Sequence, residues 1–424
     1  MTSVSCQEAF KCWWKSWFEG PEALLLGSTG LMTFFGMTLP SSGPSRAVFW
    51  AVFVPATIWA LIKKAPRLTP LKNAAFLWAT LIILFAITSI TWSGPTTHHQ
   101  MTKALSHGIQ TLIFLTGLTF GLSANTEQRV RFAKAIILSC IVGAITNIIV
   151  FYSSNPLSAR LDGMFLLQIA TIGPTVLMGA ALSAITIMEV DHARARVGWT
   201  TATLLMLFVF VLLTQSRGPL ISLAVFSLLC LSVHLGMKKT LAICSLVVVA
   251  TVFFIFINTD LRQSWCDHFY GSPMGSRHII WQESLKGFFN KPILGHGVAT
   301  IFDQTRTGTT LSDLVREHIP HPHGLPFYVL FSMGLVGAIL QIGYFLTILF
   351  SAIKLKGDSK KITLAALVCV VLMTSTDMHA IAKSVGYIWW LYWMPMLTLA
   401  CPPHRSSYLE DARKVSVSSV QNER

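Results

Sequence analysis

The feature that most constrains this chain is a succession of apolar runs, each about long enough to cross a bilayer and each followed by a short polar connection. A membrane-spanning helix needs roughly 17 to 25 apolar residues. Runs approaching or meeting that length fall at 23–39, 47–62, 74–92, 104–123, 132–151, 164–188, 199–215, 219–235, 240–257, 326–350, 362–376 and 384–400. None alternates apolar and polar residues with the period of two that a β-barrel strand requires. The expected fold is therefore an all-α polytopic membrane protein with about 12 transmembrane helices. Only 12% of the residues are charged, about half the usual share of a soluble domain. That excludes a soluble enzyme and a disordered regulator. The eight cysteines show no paired spacing, which excludes a disulfide scaffold.

The net charge of +14 is resolved by where the charges sit. With a cytoplasmic N-terminus, the inside connections hold Lys63, Lys64, Arg67, Lys72, Arg129, Arg131, Lys134, Arg194, Arg196, Lys238, Lys239, Lys354, Lys356, Lys360 and Lys361. The short outside connections hold only Arg46, Lys103, Arg160, Arg217 and Lys383. The bias keeps its sign along the chain, which orients it and places both termini inside. Basic residues spread in this way have no nucleic-acid-binding fold around them, so nucleic acid is not an expected partner.

Five regions follow. Residues 1–22 carry Phe10, Trp13, Trp14, Trp17 and Phe18 beside Lys11 and Lys15, and read as a cytoplasmic or interfacial amphipathic helix rather than a cleavable signal. Residues 23–257 hold helices 1–9, 326–400 hold helices 10–12, and 401–424 form a polar cytoplasmic tail. Between them lies a large outer loop, 258–325. It is rich in aromatic residues, balanced in charge, and contains six of the thirteen histidines. Long loops of this kind are functional or disordered, and the aromatic content favours order. A helix is expected over Arg277 to Phe289.

Several polar groups are expensive at this depth. Gln215-Ser216-Arg217-Gly218-Pro219 joins two runs through a tight outer turn. Arg217 reads either as a snorkelling interfacial arginine or as an anion-binding group at a helix N-terminus, where free N–H groups and the dipole already favour negative charge. Arg160 can pair with Asp162 or face the same anion. Arg277 can be a solvated helix start or a third member of the set. Three outer arginines suit a phosphate or pyrophosphate, which guanidinium binds through two parallel hydrogen bonds. His318, His321 and His323 cluster before the tenth run. They are solvated, bind zinc, or supply a base, and an ordinary imidazole pKa of ~6.5 suits His323 for the last role. Metal and cofactor are not expected. Asp377 and His379, near Lys383 in the last outer loop, can line the same cavity.

Taken in order, Leu213-Thr214-Gln215-Ser216-Arg217-Gly218, then Arg277 with Trp281, then Pro292-Ile293-Leu294-Gly295-His296-Gly297, then His323-Gly324 with Gly334 and Gly337, resemble the O-antigen ligase and polymerase superfamily. The resemblance covers roughly 200–345, and the chain is similar to the ligase branch in length and in its single large loop. It implies a GT-C-like glycosyltransferase of the bacterial inner membrane, multi-pass, with the large loop and the active site facing the periplasm. It implies an undecaprenyl pyrophosphate-linked glycan as donor, lipid A-core as acceptor, and membrane lipid around both. It assigns His323 as the catalytic base and places Arg217 and Arg277 on the pyrophosphate; the residues themselves add Arg160 to that anion site and leave His321, His318 and Asp162 in secondary positions. Gly324 departs from the Asn, Ser or Gln that ligases usually carry there, and His321 stays open as a competing base. An O-antigen polymerase uses the same donor, and an oligosaccharyltransferase would move it onto protein. A lipid or solute transporter should show an internal repeat, and none is visible.

Overall fold

A computed structural model describes residues 20–39, 41–64, 69–156, 158–161, 208–257, 259, 262–263, 274–305 and 321–401. All regular structure among them is helical. In chain order, α1 is Pro21–Thr38. α2 is one rod built of Gly43–Val48, a π-turn at Phe49–Phe53, and Val54–Lys64. Next come α3 (Ala74–Ser89), α4 (His98–Gly121) and α5 (Thr126–Tyr152). The second half holds α6 (Arg217–Leu235), α7 (Met237–Ile257), α8 (Met274–Asn290), α9 (Leu325–Lys354) and α10 (Gly357–Asp377). A π-turn at Trp389–Trp393 leads into α11 (Met394–Ala400). Among the described residues, four stretches are long and apolar enough to cross a membrane: Gly43–Lys63, Ala74–Trp92, Glu127–Tyr152 and Leu325–Lys354. The expected run 164–188, most of 199–215, residues 1–19 of the N-terminal helix and the tail beyond Cys401 lie outside the described residues.

Local sequence explains the helix ends and irregularities. Asn73, Thr97 and Asn125 cap α3, α4 and α5 by accepting from Ala75, Gln100 and Gln128 N–H groups. Both π-turns end two residues before a proline, just ahead of Val54-Pro55 and Met394-Pro395. A proline has no N–H to donate to the carbonyl four residues back. The ladder widens there, and the Val54 and Met394 N–H groups reach the Phe49 and Trp389 carbonyls five residues back. Large apolar side chains such as Ile62, Leu246 and Phe253 stay 71%, 69% and 65% exposed. Such a surface suits lipid rather than water.

A chain of contacts shows which helix ends lie together. α1 and α5 run parallel, with Gly30 against Ala135 and Asn147 Nδ2 donating to the Met37 carbonyl at 3.1 Å. α4 runs against α1, with Gly121 meeting Leu25 and Leu26. The ends of α1 and α5 and the start of α4 therefore share one end of the bundle. Beyond α5, the Leu161 N–H donates to the Leu213 carbonyl, which brings the turn before α6 to that end. Thr111 of α4 donates to the Lys383 carbonyl, which brings the connection after α10 there too. α6 starts and α10 ends at this face, so the two are antiparallel, with Cys369 Sγ 3.7 Å from the Ser222 carbonyl. Arg217 and Thr374 each lie five residues beyond that contact, at about the same height, ~7.5 Å above it.

α9 departs from the straight span expected at 326–350. Gly334 sits inside it at φ 63°, a left-handed conformation that breaks the helix. The break releases the carbonyls of Phe331 and Ser332 and the N–H groups of Leu335 and Val336. The loop after α8 satisfies all four. His296 and Gly297 N–H groups donate to Phe331 and Ser332, while Leu335 and Val336 donate to the Pro292 and Ile293 carbonyls, at 2.8–3.2 Å. The loop can come this close because Gly295 and Gly334 face each other without side chains. A Cβ on Gly295 would lie 2.5 Å from the Ser332 carbonyl carbon, and one on Gly334 would lie 2.4 Å from the Ile293 oxygen.

The break also sets the geometry above it. Counted from the Leu355–Lys356 connection at 1.5 Å per residue, Ser375 stands ~29 Å up its helix and Gly324 would stand ~47 Å up a straight one. The bend takes up that difference, and a Cβ on Gly324 would come within 2.3 Å of the Ser375 carbonyl oxygen. Replacing Gly334 or Gly295 by alanine should therefore lower stability by about 3 kcal/mol, from left-handed strain plus backbone collision. Gly30→Ala, whose Cβ would make an ordinary 3.6 Å contact with Ala135, should be tolerated. Thermal melts of the three purified variants check this.

Candidate functional site

Two constellations meet at the end of the bundle identified above. The first is the turn before α6. Thr214, Gln215 and Ser216 are buried, and Gln215 adopts φ 51°, an uncommon and strained conformation for a residue other than glycine. Arg160 is locked onto this turn. Its Nε donates to the Thr214 carbonyl at 2.9 Å and its Nη2 approaches Ser216 Oγ at 3.4 Å. Asp162 lies outside the described residues, and the Arg160 guanidinium faces the turn. Ser216 is the residue before α6 and Arg217 the first within it. The backbone of Arg217 thus stands at a helix N-terminus, where the first amides have no intrahelical acceptor. Its side chain lies outside the described atoms.

The second constellation is the segment before α9. The Trp281 indole donates to the His323 carbonyl at 2.6 Å, and its ring stacks on Phe327 at 4.8 Å. α8, which covers the expected helix over Arg277 to Phe289, is thereby fastened to the histidine segment. Arg277, half-buried and four residues before Trp281, shares its face of α8 about 6 Å along the axis. Gly324 follows His323 at φ 97° and packs against Ser375. A side chain there would be strained and would collide with backbone, which accounts for glycine at a position where the resembling ligases carry larger residues.

The histidine segment is braced by the connection after α10. His321 stands edge-on to His323 at 4.9 Å and stacks on His379 at 4.0 Å with ring planes 10° apart. The Tyr387 hydroxyl lies 2.7 Å from His379 Nδ1, and Lys383 Nζ sits 4.7 Å over the Tyr387 ring. That connection is itself pinned, because the Trp393 indole donates to the Ile381 carbonyl and Thr111 donates to that of Lys383.

Burial, then the neighbouring His323 and Lys383, push the His321 pKa down to about 4. Burial is also the main reason that His379 is lowered, with His321, Lys383 and His323 adding to it. Burial and Lys103 lower Lys383. Both stacked imidazoles are therefore neutral near pH 7. Two imidazolium rings at that separation would repel, whereas two neutral rings stack.

Other expected groups fall elsewhere. His318 lies outside the described residues. His296 is a packing residue: it is buried, its Nε2 is 2.9 Å from the Gly287 carbonyl, and its ring stacks on Phe331 at 4.6 Å. Among the described residues, no group of His, Cys, Asp or Glu is arranged to hold a metal ion. Sequence reasoning placed His379 near the cavity but missed its stack on His321 and its bond to Tyr387. A straight α9 would have kept those loops far apart.

Residues 202–342 match the family described as O-antigen ligase. The match takes in Arg217, Arg277, His321 and His323 and leaves out Arg160 and the connection after α10. No curated protein matches the chain. A solved structure reported as "Structural coordination of polymerization and crosslinking by a peptidoglycan synthase complex" is similar over 79% of this chain and 97% of that one. Its identity is 13% and its TM-score 0.44.

The neutral stack has a pH signature. The folded pKa values of His321 and His379 lie below the unfolded value, so the unfolded chain binds more protons between about pH 6.5 and about pH 4. The stability they contribute is complete above that window and is lost as pH falls through it. The melting temperature should therefore drop between pH 6.5 and 4. His379→Phe, which keeps a ring in the stack and removes one titrating group, should shrink the drop.

Proposed function

We propose, starting from the O-antigen ligase domain that the chain carries at residues 202–342, that it transfers a glycan from undecaprenyl pyrophosphate onto lipid A-core. One observation carries the reading: within the matched segment, an arginine-bearing turn and a histidine cluster stand at one end of a helical bundle. In this reading that end faces the periplasm, the chain crosses the bacterial inner membrane about twelve times in a GT-C-like arrangement, and both termini are cytoplasmic.

His323 accepts the proton of the acceptor hydroxyl, whose oxygen attacks the anomeric carbon of the donor sugar. The bond from that carbon to the pyrophosphate oxygen breaks, undecaprenyl pyrophosphate leaves with the electron pair, and attack from the opposite face inverts the anomeric configuration. Arg217, with Arg160 and Arg277, stabilises the charge that develops on the leaving group, a role in which fixed cations are worth most. Arg160 is already immobilised on the Arg217 turn, so little reorganisation is needed there. The cations come from arginine, and the reading gives no role to a metal.

Three facts support His323 over His321 as the base. His321 is held at about 4, too low for effective proton abstraction near neutrality. Its Nδ1 is buried with no hydrogen-bond partner among the described residues. Its ring is committed to the stack on His379. His321 therefore acts as the brace of His323.

Lipopolysaccharide from a host lacking the gene, resolved on a gel beside its lipid-linked glycans, tests the activity. Core-only lipopolysaccharide with accumulated lipid-linked polymer is the expected result. Core bearing one repeat unit would mean a polymerase, and an unchanged ladder would discard both. With purified protein, His323→Ala should cut transfer by roughly 10²–10⁴-fold and His321→Phe should spare most of it. Excess chelator should change nothing.

A further inference from the structure

The five basic residues of the short outer connections do not all serve the donor. Three of them gather on the far side of the His379 loop, around α4. Lys103, His107 and Thr111 recur every four residues and so share one face of that helix. Thr111 Oγ1 donates to the Lys383 carbonyl at 3.2 Å and accepts from the Trp389 indole at 3.3 Å. The Trp389 ring packs against Phe49 at 5.2 Å, and Arg46 lies three residues before Phe49 on the same rod. The backbone segments that carry the three cations are therefore packed together. The charges of Lys103, Lys383 and Arg46 all act on His107, and that of Lys103 also acts on Lys383.

Among the described residues, no acidic group pairs with any of them. The ion pairs among the described residues, Arg131 with Glu127 and Lys286 with Glu283, lie elsewhere. Like charges gathered without a counter-ion repel, so a folded chain that assembles them is completed by an anion. Arg46 and Lys103 are exposed. On α2, Trp50 follows Arg46 by about one turn and is 52% exposed. An anion site opening onto an apolar, lipid-facing edge suits the headgroup of an amphiphile rather than a soluble ion.

We propose that Arg46, Lys103 and Lys383 form a second anion site, distinct from the Arg160–Arg217 turn, that takes the phosphate groups of the acceptor glycolipid. The assignment rests on the transfer reading above and adds where the acceptor docks. The Lys383 loop also carries His379, whose ring stacks on His321 beside His323. An acceptor anchored on that loop is therefore held beside the histidine that serves as base.

The test is direct binding to the full-length purified chain in nanodiscs of neutral lipid, with lipid A-core and the same glycolipid after enzymatic removal of its phosphates as probes. Losing charge-assisted phosphate contacts costs roughly tenfold or more in affinity. The phosphorylated probe should thus bind about tenfold more tightly than the dephosphorylated one. The paired substitution Arg46→Ala and Lys103→Ala should abolish that difference, Arg46→Lys with Lys103→Arg should restore it, and Arg217→Ala should leave it intact.

Equal binding of the two probes by the parent chain would overturn the proposal, as would a difference that survives in the alanine pair. Competition by phosphatidylglycerol as effective as the phosphorylated probe would also overturn it, since the cluster would then be a general lipid-headgroup site. Binding is read without turnover, so failure of the transfer reading is seen separately, as absence of glycan transfer to a glycolipid that binds.

Discussion

The structure depends on four backbone hydrogen bonds. At membrane depth there is no water to satisfy a broken helix, so an interruption survives only where other protein groups replace the lost ladder. At Gly334 the loop 292–297 does this in full, donating twice and accepting twice. The two elements are mutually required: without the loop, the break in α9 leaves four buried polar groups unpaired, and without the break, the loop has nothing to bond. The Pro292-to-Gly297 motif is therefore a structural clasp that fixes where the upper part of α9 points. Because Leu325 lies at the head of that part, the clasp sets the position of His323 from eleven residues away.

A second constraint acts from the other side. The Trp389–Trp393 turn is fully buried, with Trp389 stacked on Phe114 at 4.3 Å and Trp393 holding the Ile381 carbonyl. Buried indoles seek a partner for their single N–H, and here those partners tie the turn to α4 and to the connection after α10. His379 and Lys383 are thus supported by aromatic packing rather than by their own loop. The site is gripped between two rigid supports, the clasp on α9 and the aromatic turn before α11. Such support is what holding catalytic groups to sub-ångström tolerance requires.

Much of this was legible in the sequence and some was not. Hydropathy located α1 to α7, α9 and α10 because a helix buried in lipid must be apolar along its whole length, and that signal does not depend on tertiary contacts. The helix expected over Arg277 to Phe289 is there as α8. Gly334 and Gly337 read as a packing motif, whereas Gly334 is a break. The glycine that faces it, Gly295, lies 39 positions away, and no local pattern records that pairing. The same bend hid the stack of His321 on His379, since the helix rise along a straight α9 separates those loops by more than 15 Å. Arg160 was legible as a cation but not as a tether, because Thr214 accepts from it through a backbone carbonyl, which every residue possesses.

The electrostatic arrangement follows from these supports. Six basic side chains in the outer connections and loop, Arg46, Lys103, Arg160, Arg217, Arg277 and Lys383, would repel one another if left mobile. The fold sorts them into two groups instead. Arg160 is tied to the turn before α6, Arg277 is carried by α8, and Lys383 is held over Tyr387. Between these groups stands a stack of imidazoles kept neutral by burial, so no further positive charge is added where the two cationic walls approach. Protonating His321 or His379 would put a cation between Lys383 and His323 and raise the repulsion across the whole face. The low pKa values are thus a condition of the site as well as a consequence of burial. In the proposed transfer, they allow two groups of cations to stand close enough for two anionic lipids to reach one histidine.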